Sequence, residues 1–125
     1  MSAGLKQREF DYSDLLGRRI IIAAGENIEL AARLPTSGRV LGQAALADWG
    51  SDWLHLRLDD PITYASRSYS ECLVRSRELK RPIDSAGVSV FLLFEREAKL
   101  SEPPPWSSGD FYIADWATAK VAVDG

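Results

Sequence analysis

The side chains best suited to chemistry in this 125-residue chain gather around one stretch, Trp53-Leu-His-Leu-Arg-Leu58, which carries the single histidine, His55. A histidine near a carboxylate can serve as a general base or as a metal ligand. The nearest acids in sequence are Asp52, Asp59 and Asp60. One reading is therefore a small enzyme that pairs His55 with an aspartate. The competing reading is a histidine on the outer face of a strand. With no second histidine and a single cysteine, the spacing of a zinc site is absent, so no metal and no cofactor is expected. Asp59 and Asp60 would point to opposite faces of a strand, and Asp before Pro61 is turn chemistry, so Asp59-Asp60-Pro61 reads as the end of that strand. Phosphate-binding loops, dinucleotide fingerprints, the nucleophile elbow and the zinc-protease motif are all missing. The balance leans away from an enzyme.

A second candidate chemistry is anion recognition. Arg75 and Arg77 share parity on the segment Ser70–Arg77, and His55 and Arg57 share parity on the neighbouring one. If register aligns them, Arg57, Arg75, Arg77 and His55 would share a face, with Tyr64 and Tyr69 close in sequence. Guanidinium groups suit bidentate contact with phosphate or carboxylate, and strand faces of bases and aromatics bind single-stranded nucleic acid in small barrels. From His55 to Ile83 there are six Lys or Arg against four acids, whereas Asp84 to the end holds seven acids and three bases. The formal net charge of −3 opposes a general nucleic-acid binder.

The third candidate is a contact surface for a protein partner or a second copy of the chain. Phe91, Trp106 and Trp116 are large aromatics with no evident place in a single buried stripe, and Trp106 sits near the end of the proline-rich loop 101–109. Surplus aromatic surface of this kind marks interaction sites. A non-enzymatic interaction module is the leading expectation; anion or nucleic-acid binding and then the His55 enzyme rank below it.

These residues must be positioned by strands. Leu54, Leu56 and Leu58 alternate with Trp53, His55 and Arg57, the period of a strand with one buried face. Gly38–Leu46 precedes it, with Gly42 marking a bulge or bend. Arg18–Ala24 is rich in β-branched residues, Gly25-Glu-Asn27 reads as a hairpin turn, and Ile28–Leu34 as the return strand or a helix. Val88–Phe94 is apolar on both parities, as in a strand buried on both faces. Asp110–Val123 reads as one long strand, or two with a bend near Asp115. Ser13 or Asp14 could cap a helical turn ended by Gly17.

The expected fold is mainly β: a small, partly open antiparallel barrel or strongly bent sheet of six to eight strands, SH3-like in general architecture only, with at most one or two helical turns. The alternative is α+β, with Ile28–Leu34 or Glu95–Leu100 helical. Residues 1–12 form a lead-in and 13–125 a single domain, in keeping with the length. Cys72 shares parity with Val74 and reads as a core thiol. No apolar run reaches the ~18 residues of a spanning helix, and the first ten residues lack the apolar core of a secretory signal. The expectation is a cytoplasmic protein with no membrane contact.

Overall fold

The computed structural model describes residues 10–23, 25, 35–78, 80–97, 99–102 and 106–123. Six strands succeed one another in sequence: β1 (Arg19–Ala23), β2 (Thr36–Ala44), β3 (Trp53–Tyr64), β4 (Arg67–Ser76), β5 (Val88–Glu95) and β6 (Phe111–Val121). Each pairs antiparallel with the next, and β1 pairs with β6. The expected barrel is thus present, and it is closed rather than partly open. Single 3₁₀ turns occur at Ser13–Leu15, Lys99–Ser101 and Ser108–Asp110. Glu95 ends β5, so the helical option for Glu95–Leu100 reduces to that short turn. The expected return strand Ile28–Leu34 lies outside the described residues.

Alternation decides what fills the barrel. Ile20 and Ile22, Val40, Leu54 and Leu56, Cys72 and Val74, Val90 and Leu92, and Ala117 and Ala119 all point inward and are buried. Burial pushes the Cys72 thiol well above its ordinary value, which keeps it protonated and inert. At one end the 3₁₀ turn Ser13–Leu15 plugs the barrel with Tyr12 and Leu15. Neither Ser13 nor Asp14 caps this turn; the Asp11 carboxylate instead accepts the Ser13 N–H at 2.9 Å. At the other end Tyr69 stacks on Phe94 with ring centres 4.6 Å apart, and Tyr64 and Tyr112 pack beside them.

Three irregularities bend the strands enough to close so small a barrel. The first lies between Val40 and Gly42, where a bulge was expected. The second lies in β6 opposite Leu92 and Leu93, which pair with Asp115 and Ile113 and leave Ala114 between them. The third corrects the expectation at Asp59-Asp60-Pro61. Those residues do not end β3; they bulge out between the Arg57–Glu71 and Ile62–Tyr69 pairs, and the strand resumes to Tyr64. The bulge spares Pro61 the ladder position that its missing N–H could not fill. Gly38 crosses the backbone of Arg57 so closely that a Cβ would lie 2.7 Å from its carbonyl oxygen.

A second core lies outside the barrel. Trp53, Leu73, Leu93 and Phe111 point outward, and the segments carrying Leu46, Trp49, Leu100 and Trp106 fold over them. This is why β5 is apolar on both parities. Beneath this layer, Arg75 and Asp52 form an ion pair at 2.5 Å with side chains only 3% and 2% exposed. Arg75 also donates to the Trp49 carbonyl at 3.3 Å, and Asp52 accepts the Phe10 N–H at 3.2 Å.

Removing one member of a buried pair strands the other charge. Arg75→Ala or Asp52→Ala alone should therefore cost ~3–5 kcal/mol, whereas Asp52→Leu with Arg75→Met should cost much less. Urea unfolding of the three variants and the parent measures this; additive losses would show that the pair does not act as a unit. The β3–β4 hairpin offers a second test, because it turns on Ala65 and Ser66, both at positive φ (52° and 64°). Asparagine and glycine suit such a turn far better. Ala65→Asn with Ser66→Gly should raise stability by ~1 kcal/mol or more, read as a shift in the urea midpoint at constant slope.

Candidate functional site

The residues expected to form an anion-binding face are dispersed by the observed register. His55 lies opposite Leu73, and Arg57 opposite Glu71. Arg57 is exposed and meets the Glu71 carboxylate at 3.8 Å. Arg75 is sealed against Asp52 beneath the Trp49 segment. Tyr64 and Tyr69 belong to the barrel end near Phe94 and Tyr112, where Tyr69 is buried and lies 5.4 Å from the Arg67 guanidinium. Of the named set, only Arg77 combines exposure with an aromatic neighbourhood.

His55 does have a carboxylate partner, though not one of the aspartates near it in sequence. Its Nε2 lies 2.6 Å from Glu71 Oε1, on the neighbouring strand. Trp106 stands edge-on over the imidazole at 5.9 Å and against Phe111 at 6.3 Å. The Trp106 indole donates to the Glu102 carbonyl at 3.1 Å and is 7% exposed, so the residue is a packed anchor of the outer layer. A small cleft of about 220 Å³ runs past Glu71 and Glu95 to Leu100 and Ser101. Burial, followed by the nearby Glu71 charge, raises the Glu95 pKa. Among the described residues no group of three or more His, Cys, Asp or Glu is placed to hold a metal ion. At the bulge, Asp59 is also engaged: it accepts from the Ser37 hydroxyl and meets Arg19 at 3.7 Å.

A different arrangement forms on the outer face of β4, β5 and β6. Phe91 and Trp116 are cross-strand partners, as are Ser89 and Thr118. Arg77, just beyond β4, is bonded through its N–H to the Ser89 carbonyl. Its guanidinium donates to Ser89 Oγ at 3.2 Å and lies 4.9 Å from the Trp116 ring and 5.7 Å from Phe91. Trp49 packs against Phe91 at 5.0 Å and continues the aromatic row inward to Trp53. Trp116 is 43% exposed, in contrast to the buried Trp53 and Trp106, and Ile113 on the same strand is 52% exposed. The sequence assigns Phe91 and Trp116 to one candidate surface and Arg77 to another. Only the β5–β6 register and the turn after Ser76 unite them.

The raised Glu95 pKa yields a signed prediction. A carboxyl whose folded pKa exceeds its unfolded value stabilises the fold below the unfolded value, and that contribution is lost as pH rises through the folded value. Glu95→Gln should therefore equal the parent in stability below about pH 4 and exceed it increasingly toward pH 7. Urea midpoints at both ends of that range test this, and a constant difference would reject it.

The chain was also compared with known proteins: no family model matches it, and neither does any curated protein or solved structure.

Proposed function

We propose that this chain is a non-enzymatic interaction module that binds a protein partner through the outer face of β4–β6, with Trp116 at its centre. The observation that carries the reading is the exposure of Trp116 beside an ordered arginine. Its indole is 43% open to solvent while Arg77 is held over the ring by Ser89. Tryptophan and arginine dominate the few residues that supply most interface energy, and side chains already fixed in place lose less entropy on binding. Phe91 and Trp49 support the ring from within the fold, and Ile113 extends the apolar surface along β6. The expected contacts Phe91 and Trp116 therefore adjoin one another, while Trp106 serves the packing of the outer layer. His55 and its carboxylate lie against that same layer, which supports a packing role for the histidine.

The test compares immobilised parent protein with Trp116→Ala and Trp116→Asp, using an extract of the source cells and Arg57→Ala as a surface control. Both Trp116 variants should retain the parent's melting temperature within a few degrees. Each should lose at least about 30-fold in retention of a partner that Arg57→Ala still holds, as expected of a central interface residue. Equal retention by all four proteins would sink the proposal. Light scattering on the same proteins identifies the case of a second copy, through a dimer that Trp116→Asp dissolves.

A further inference from the structure

We infer that the partner segment seated on this face is an extended acidic peptide, with an apolar anchor residue and carboxylates within about four residues after it. The inference rests on the interaction reading and adds the chemistry of what is bound. Along β6 the outward positions after Trp116 are Thr118 and Lys120, and Lys120 is exposed. Alternate strand residues stand ~6.5–7 Å apart, so about 13 Å separates the aromatic centre from the Lys120 position. Arg77 lies near the first end of that line. Arg81 lies near the second, donating to the Gly87 carbonyl at 2.8 Å. Gly87 faces the side chains of Lys120 and Thr118 closely enough that a Cβ there would sit 3.7 Å from each, and its φ of +92° suits glycine.

The face therefore runs from Trp116 and Arg77 to Lys120, with Arg81 beside its far end. Arg81 is itself paired with Glu78 at 3.6 Å, so the charge of the face is carried by Arg77 and Lys120. A charge pattern of apolar, then positive, then positive is complemented by apolar, then negative, then negative. The span of about 13 Å equals four residues of extended chain at ~3.3 Å each. Such a peptide lies on the outward side chains of the face, and its recognition rests on those side chains. A nucleic-acid strand fits less well. The Arg77 guanidinium lies over the Trp116 ring where a base would stack, and the chain as a whole is acidic, with a net charge of −3.

The test is selection of random peptides displayed on phage against the parent protein, with prior depletion on a Trp116→Asp, Arg77→Glu double variant of unchanged melting temperature. Enriched peptides should carry Asp or Glu within four residues of a large apolar residue. A synthetic peptide of the enriched sequence should bind about tenfold more weakly in 0.5 M than in 0.05 M salt. It should also lose several-fold in affinity on Lys120→Glu. Enrichment of neutral or basic sequences, no enrichment at all, or indifference to Lys120→Glu would overturn the inference. Binding of oligothymidylate in place of any peptide would do the same and transfer the face to nucleic acid. If acidic peptides fail while Trp116-dependent retention of a cellular protein persists, the interaction module stands and only its acidic ligand falls. Loss of both removes both.

Discussion

The pairing of β1 with β6 is the constraint on which the rest of this structure depends. Antiparallel neighbours bond only if their backbones stay within hydrogen-bonding distance, so six strands can close only by bending hard. The chain bends at three places, around Leu41, at Asp59-Asp60-Pro61 and at Ala114, where residues leave the ladder. The departures at Leu41 and Ala114 shift the alternation of the residues beyond them, whereas Leu58 and Ile62 stay in phase across Asp59-Asp60-Pro61. Closure is made by a short ladder, Ile20–Ala23 of β1 against Thr118–Val121 of β6. Register fixes which outward side chains on neighbouring strands stand together.

The interior needs only small and medium apolar groups, because a narrow barrel has little room. Alanines on β6 and branched residues on β1, β4 and β5 fill it. The larger rings are displaced to the barrel end or to the outside. Outside, Trp53, Leu73, Leu93 and Phe111 would expose a wide apolar patch were it not for the segments around Leu46 and Trp106. Those segments are anchored partly by polar contacts: the Asp48 carboxylate accepts the Ser108 N–H and hydroxyl, Ala47 donates to the Trp106 carbonyl, and Arg75 holds the Trp49 carbonyl. A charged pair buried at this place, Arg75 with Asp52, ties the covering layer, the segment leading into the plug and the barrel wall together. Such a pair contributes less by its net attraction than by the penalty for any arrangement that separates it.

Alternation makes much of this legible in the sequence. The inward set on β3, the burial of both faces of β5, the core thiol at Cys72 and the bulge near Gly42 all derive from the pattern of apolar residues and the special status of glycine. Asp59-Asp60-Pro61 misleads because its composition is that of a turn, while a bulge uses the same residues to keep a strand going. Parity alone could not supply the covering layer. Whether an outward residue is solvated depends on which loop, distant in sequence, lies over it; here Asp52 and Trp49 cover Arg75. The His55 partner is hidden from the sequence for a related reason. Glu71 is 16 residues away, and only the β3–β4 register brings it beside the strand that carries the histidine.

Arg75 and Arg77 make the distinction concrete. They have the same residue type, the same parity and a separation of two residues, so a pattern-based argument must treat them alike. The layer over Trp53 reaches Arg75 and stops, so that its guanidinium is spent on Asp52 and a backbone carbonyl. Arg77 lies past the end of β4, where the chain has left the layer, and its side chain lies over Phe91 and Trp116 instead. One arginine is thereby a structural tie and the other an ordered, solvent-facing cation on an aromatic base. The boundary of the second core, set by how far the segment from Leu46 to Asp52 extends, is what creates an exposed contact face on an otherwise covered side of the barrel.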